Sequence, residues 1–264
     1  MSRPSRRGML GVLALAGATA LAVACGDVPT LENGIAYYTP VQLPLPAVAL
    51  GDTLRDSLGV ARPLRIRAFT RDSQEVTGLS VFFLPTTLPS LVKIDSATAY
   101  VVANDTATGT VQIVGRIGDR LQTSVASLLV VPEPTTIARA DNAAGDTALS
   151  QPVLRELPVT VTGTYKGASA TVNGIIVRYR IDSLVPSTLP PGSAILVNDG
   201  ALPTRPDSTI AVDTTSAQGV AMRQLLVVAG NGVQRVYISA SARRLHDGQP
   251  LAGSPVRFVV DVKQ

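Results

Sequence analysis

The stretch Val172-Asn173-Gly174-Ile175-Ile176-Val177-Arg178-Tyr179-Arg180-Ile181-Asp182 decides the fold class. From Ile175 onward, apolar and charged residues alternate. Ile175, Val177, Tyr179 and Ile181 share one face; Arg178, Arg180 and Asp182 share the other. A period of two is the signature of a strand with one buried face. Working outward, the same period recurs at Val236, Ile238 and Ala240 against Arg235, Tyr237 and Ser239. It returns at Val256, Phe258, Val260 and Val262 against Arg257, Asp261 and Lys263, and earlier at Val111 and Ile113 against Gln112, with Arg116 following on the polar face. Turn signals separate these runs: Asn198-Asp199-Gly200, Gly230-Asn231-Gly232 and His246-Asp247-Gly248. No segment beyond the N-terminal one carries a helical period. About seven short strands per 100 residues with frequent turns predict an all-β chain of antiparallel sandwiches.

The strands fall into two copies of one plan. Gly51-Asp52-Thr53-Leu54 returns as Gly145-Asp146-Thr147-Ala148-Leu149. An alternating run follows each, Leu64-Arg65-Ile66-Arg67-Ala68 and then Leu157-Pro158-Val159-Thr160-Val161-Thr162. Next come Val76-Thr77-Gly78-Leu79-Ser80-Val81-Phe82-Phe83 and its counterpart from Val172 to Tyr179, so the copies lie 94 to 96 residues apart. The expected organisation is a sandwich over residues 47–132 and a second over 133–264, with Pro132-Glu133-Pro134 as a short, stiff junction.

Two sets of residues carry a family resemblance. Val92-Lys93-Ile94-Asp95, Tyr100-Val101-Val102-Ala103 and Gly109-Thr110-Val111-Gln112-Ile113 make the first copy resemble bacterial immunoglobulin-like domains of group 2. The second copy is similar to the group 1 domains of invasin- and intimin-like proteins. Its matching elements are Val172 to Val177, Thr215-Ser216-Ala217-Gln218-Gly219-Val220-Ala221, and Gly253-Ser254-Pro255-Val256-Arg257-Phe258. The resemblance implies extracytoplasmic modules that serve as spacers, adhesin stalks or interaction surfaces. It brings no catalytic residue and no cofactor.

The N-terminus reads as an address. Arg3, Arg6 and Arg7 precede an uncharged apolar run, Met9 to Val23, of 15 residues. That is short for a bilayer span, which needs roughly 20, and suits a removable signal over residues 1–24. Ala22-Val23-Ala24-Cys25-Gly26 resembles the lipobox of bacterial lipoproteins, with Ala22 where the family usually has Leu. The resemblance implies that Cys25 becomes the lipidated N-terminus of an extracytoplasmic protein. Residues 25–46 then read as a tether interrupted by Pro29, Pro40, Pro44 and Pro46, within which Tyr37-Tyr38 packs against the first sandwich.

Composition narrows the chemistry. The 264 residues are 45% hydrophobic and 16% charged, with no Trp, one Cys and one His. A disulfide framework, a Cys/His zinc site and a Cys–His catalytic pair are excluded. Taking the signal's three Arg from the 23 basic residues leaves 20 against 19 acidic ones, a net of +1. A nucleic-acid partner is therefore not expected. Ser90-Leu91-Val92-Lys93 has S-x-x-K spacing but lacks the supporting S-D-N and K-T-G motifs, and its local pattern is a strand. Turn chemistry accounts for Asp247-Gly248, and a His246–Asp247 pair would need the turn to bend the two together. Fifteen Asp make Ca²⁺ worth weighing, with Asp141, Asn142 and Asp146 near the junction as the weak candidate. Phe82, Phe83 and Phe258 read as core, while Tyr165 and Tyr237 are too scattered for a stacking platform. Arg65, Arg67, Arg178, Arg180 and Arg235 read as solvated strand faces with cross-strand partners.

The expectation is a non-catalytic envelope lipoprotein on the bacterial cell or outer membrane, facing periplasm or cell surface. Its partners are the membrane, through the lipid, and an envelope or extracellular protein. The alternative is an adhesin that takes a protein or polysaccharide ligand through distal loops of the second copy.

Overall fold

A computed structural model describes residues 34–140, 149–150, 153–190, 192–198, 208–228 and 232–263. In chain order the strands are β1 (Tyr37–Tyr38), β2 (Ala47–Ala49), β3 (Ala68–Phe69), β4 (Val81–Pro85), β5 (Val92–Ile94), β6 (Val101–Ala103) and β7 (Gly109–Ile117). They continue as β8 (Leu121–Gln122), β9 (Ala126–Val131), β10 (Pro134–Arg139), β11 (Leu149–Ser150), β12 (Val153–Tyr165) and β13 (Ala168–Thr171). The last are β14 (Ile176–Val185), β15 (Ala194–Val197), β16 (Ile210–Thr214), β17 (Val220–Val227), β18 (Arg235–Ala242) and β19 (Val256–Lys263). The fold is all-β, as the alternation predicts; among the described residues, none of the helices is long and apolar enough to cross a membrane.

The described residues divide into two compact units, 34–38 with 67–79, and 39–66 with those from 80 onward. In the smaller unit β1 pairs antiparallel with β3. Tyr37 stacks on Phe69 with centroids 5.0 Å apart, and Arg67 lies over the same ring. Arg67 also grips Glu75 through both guanidinium edges, at 2.6 and 3.0 Å.

In the larger unit, residues from 134 onward build two facing sheets, ordered β10-β12-β17-β15 and β11-β19-β18-β14-β16, with β13 added beside β12. The opening stretch lies in β14: Val177 and Tyr179 are buried, and Arg178, Arg180 and Asp182 exposed. The Tyr179 side chain crosses the core and its hydroxyl donates to the Ala221 carbonyl on β17, 2.9 Å away. Burial pushes that hydroxyl's pKa upward. Buried Thr215 does the same service at the rim, donating to Val172 O at 2.7 Å and accepting from Ile175 N at 2.9 Å. Pro158 sits inside β12, where a missing donor should break a ladder. Its carbonyl accepts from Ala140, just past the end of β10, so the missing N–H falls where that neighbour is running out.

Residues 47–131 contribute a sheet ordered β2-β9-β7-β4, with β8 beside β7, and a separate β5–β6 pair. Each group contains the same device: β2 runs parallel to β9, and β11 parallel to β19. The buried apolar side chains of both groups join in one contiguous cluster. Leu129 and Ala47 of the first group approach Gly174 of the second.

Four local expectations change. The alternation of Leu64 to Ala68 predicts a strand, and burial does alternate there. Yet Leu64–Ile66 makes only an isolated bridge, Arg65 with Gln42, because Pro63 and Pro44, at the next hydrogen-bonded position, have no N–H to extend it. Phe82 is not core: its side chain is 48% exposed, since β4 turns its even-numbered residues outward. Ser90 and Leu91 lie in a single 3-10 turn, Pro89–Leu91, and only Val92 and Lys93 in β5. Residues 34–46, read as the outer end of a tether, include strand β1 and buried Ile35, Val41 and Leu45.

Candidate functional site

Chemistry gathers where the two groups of strands meet. Asp52 follows β2 and holds Arg55 through two bonds, at 3.1 and 3.0 Å. Arg55 then donates to the Gly59 carbonyl at 3.1 Å, bracing a turn that Asp56 also caps by accepting from Leu58 N and Val60 N. From the second group comes the turn after β18. Arg244 N bonds Gln249 O at 2.8 Å, and Asp247 accepts from Gln249 N and from Arg244.

These turns press together along their backbones. Gly59 and Gly248 both adopt positive φ, +79° and +68°. A Cβ on Gly59 would lie 2.3 Å from the Asp247 carbonyl carbon, and one on Gly248 2.5 Å from that of Leu58. Only glycine supplies both the backbone angle and the space.

His246 sits at the tip. Its Nδ1 lies 3.3 Å from an Asp52 carboxylate oxygen, and its backbone N donates to Glu133 at 3.3 Å. Burial would raise the Asp52 pKa, but the hydrogen bonds and charge of Arg55, with a contribution from His246, hold it below the usual value. Burial dominates at Glu133, between Pro132 and Pro134, and pushes its pKa up. Its second oxygen is buried without a partner. Asp52 is committed to Arg55, and Glu133 to a backbone donor. The cluster is built to hold two turns, and places no nucleophile beside a base.

Beside it opens a cleft of about 250 Å³. Leu45, Leu58, Ile176 and Leu245 supply apolar walls, and Arg178, Arg243 and Arg244 supply charge. No Asp or Glu lines it. Arg243 donates to Gly248 O at 2.8 Å and Arg244 pairs with Asp247, whereas no hydrogen bond or ion pair among the described residues engages the Arg178 guanidinium. The lining suits an anion with an apolar body.

The sequence-level candidates are distributed as follows. Cys25, Asp141, Asn142 and Asp146 lie outside the described residues, as do Asp199, Gly200, Gly230 and Asn231. Asp247 turns to Arg244 and leaves His246 to Asp52, so the His246–Asp247 pair does not form. Ser90 is exposed, its carbonyl taken by Asn104. Tyr165 and Tyr237 are half-buried on separate strands. Among the strand-face arginines, Arg180 meets Asp182 at 2.8 Å and Arg235 meets its cross-strand partner Asp261. Asp52, Arg55 and Glu133 were not legible as one cluster. The available signal was positional: Asp52 stands in the repeated Gly-Asp-Thr motif and Glu133 in the junctional Pro-Glu-Pro.

No family model matches the chain, and no curated protein matches it. Among solved structures it is similar to the Yersinia pseudotuberculosis adhesin InvE, with 16% identity and a TM-score of 0.34, covering 89% of this chain and 62% of that one. It is also similar to domains 4 and 5 of the S-layer protein SbsC, at 16% identity and a TM-score of 0.29, covering 86% of this chain and 96% of that one. A third likeness is to the fibronectin(III)-like modules of Clostridium thermocellum CbhA, at 14% identity and a TM-score of 0.30, covering 86% and 95%. Likeness at this level says nothing about what the chain binds.

Proposed function

We propose that the chain is a non-catalytic envelope lipoprotein whose two immunoglobulin-like domains, residues 47–132 and 133–264, act as a spacer or protein-interaction module. Cys25 carries the lipid, and the folded part faces the periplasm or the cell surface. The observation behind the spacer reading is the junction. The Gly59 and Gly248 turns meet backbone to backbone, Asp52 and Glu133 reach His246, and the two-residue connection between β9 and β10 is Pro132-Glu133, with Pro134 opening β10. Such a joint fixes the angle between neighbouring sheets, which a spacer needs and a hinged enzyme does not.

The arginine-lined cleft favours a second reading, an adhesin that contacts an acidic ligand. One experiment separates the parts. Cells expressing wild type, Cys25→Ser and Arg178→Glu are fed labelled palmitate, fractionated, and tested for adherence to an immobilised acidic polysaccharide. Label and membrane partition in wild type, both lost in Cys25→Ser, are the expected results; an unlabelled wild type removes the lipoprotein assignment. Adherence that Arg178→Glu abolishes would replace the spacer with the adhesin.

A further inference from the structure

Two of the three five-stranded sheets in the larger unit share an order, with one difference. β2-β9-β7-β4 matches β11-β19-β18-β14, but β14 is followed by β16 while no strand among the described residues follows β4. β4 and β14 also correspond in sequence, since Phe83 and Tyr179 occupy equivalent places in the repeat. In the second group, then, this edge takes an antiparallel strand from the same chain, in register from Ile176–Thr214 to Arg180–Ile210.

The chemistry of the β4 edge is that of an unfilled pairing site. Gly118 N bonds Ser80 O, and Thr86 N bonds Gln112 O, so the even-numbered residues of β4 direct their backbone groups to β7. Val81, Phe83 and Pro85 therefore direct theirs away from the sheet. No hydrogen bond among the described residues takes up Val81 N–H or Phe83 N–H. The strand reads Val-Phe-Phe-Leu-Pro and carries no charge. Natural sheet edges are normally guarded by charge, proline, a bulge or a cover, and of these β4 has only Pro85 at its end. Phe82 and Leu84, both on the solvent face, are 48% and 44% exposed.

We propose that this edge pairs with β4 of a second copy of the chain, antiparallel about a two-fold axis at Phe83. In that register each Phe83 N–H donates to the other Phe83 carbonyl, and each Val81 N–H donates to the opposite Pro85 carbonyl. Pro85 has no N–H to offer, so the register leaves no outward donor unpaired. Phe82 falls opposite Leu84 of the second copy in a non-hydrogen-bonded pair, where side chains approach most closely. The two exposed apolar residues of each copy thus cover those of the other. The strand is its own complement, which argues for a second copy over an unrelated peptide. The result is one sheet continuous across both copies, independent of whether Cys25 is lipidated.

The test uses the full chain in detergent micelles, followed by sedimentation equilibrium across a concentration series. Wild type shows a monomer–dimer equilibrium. Phe82→Lys with Leu84→Lys sets like charges opposite each other and weakens dimerisation by about tenfold or more. Phe82→Lys with Leu84→Glu sets Lys opposite Glu in this register alone, and retains a dimer that weakens with added salt. Circular dichroism checks that each variant keeps its strand signal; if the double-Lys variant loses it, the Lys/Glu variant decides. A wild type that stays monomeric overturns the proposal. So does a dimer indifferent to the double-Lys change, or a folded Lys/Glu variant that no longer pairs.

Discussion

β4 and β14 occupy the same place in two similar sheets and meet opposite fates. β14 is enclosed: β18 lies on one side and β16 on the other, and its Tyr179 is fully buried with a bonded hydroxyl. β4 has one neighbour and its equivalent residue, Phe83, is only partly buried. The enclosing strand is itself guarded. Val212 O, on the outward edge of β16, accepts from Arg223, which also reaches Asn198 at the end of β15. Asp213 of β16 in turn accepts from Met222 N at 2.7 Å, closing a position beyond the end of the β15–β17 ladder. Strand identity does not decide whether an edge is exposed; the presence of a following strand and one well-placed guanidinium does.

That contrast can be broken at its deepest point first. Tyr179→Ala empties a fully buried site and removes a bonded hydroxyl, for a loss of roughly 3–5 kcal/mol. Phe83→Ala at the equivalent place should lose only about 1–2 kcal/mol, because much of that ring's burial is missing. Urea unfolding of both variants reads the gap, and equal losses would show that the edges are not energetically distinct.

Next comes the guard. Arg223→Ala strips the cover from Val212 O and should cost about 1–2 kcal/mol. It also leaves β16 with an edge resembling that of β4, so added self-association is expected by sedimentation. A variant that loses stability yet associates no more than wild type would deny Arg223 a guarding role.

The smallest effect is at the junction both sheets share. Burial raises the pKa of Glu133 above the ordinary 4.5 of a free glutamate. Its folded form therefore binds its proton more tightly than the unfolded form. The stability this contributes is complete below the unfolded pKa and is lost as pH rises through the folded one. Asp52, lowered from 3.8, works in the opposite sense, losing its contribution as pH falls through its folded value. Glu133→Gln should flatten the decline in stability just above pH 4.5 and leave the acid limb to Asp52. Thermal melts from pH 3 to 7 test this, and an unchanged profile would mean that Glu133 ionises as freely folded as unfolded.

Strand period was legible wherever burial was one-sided. Val177, Tyr179, Val236, Ile238, Val260 and Val262 all face inward as their spacing requires. It misled where something beyond the strand intervened. Leu64 to Ile66 alternates correctly, but Pro63 and Pro44, at the next paired position beyond the Arg65–Gln42 bridge, supply no donor to extend a ladder. Phe82 is apolar like its neighbours, yet lies on the outward phase of β4, and two adjacent phenylalanines give no hint of which faces in. Pro132-Glu133-Pro134 drew attention as a stiff connection, but nothing in the sequence marked the cluster around it. Asp52 and His246 are 194 residues apart in sequence, and no periodicity connects them.

The parallel pairing of β2 with β9 carries a mechanical consequence. The segment entering one group and the segment leaving it lie side by side and point the same way. Tension between the two chain ends therefore drags these strands lengthwise past each other, loading every bond between them at once rather than peeling them singly.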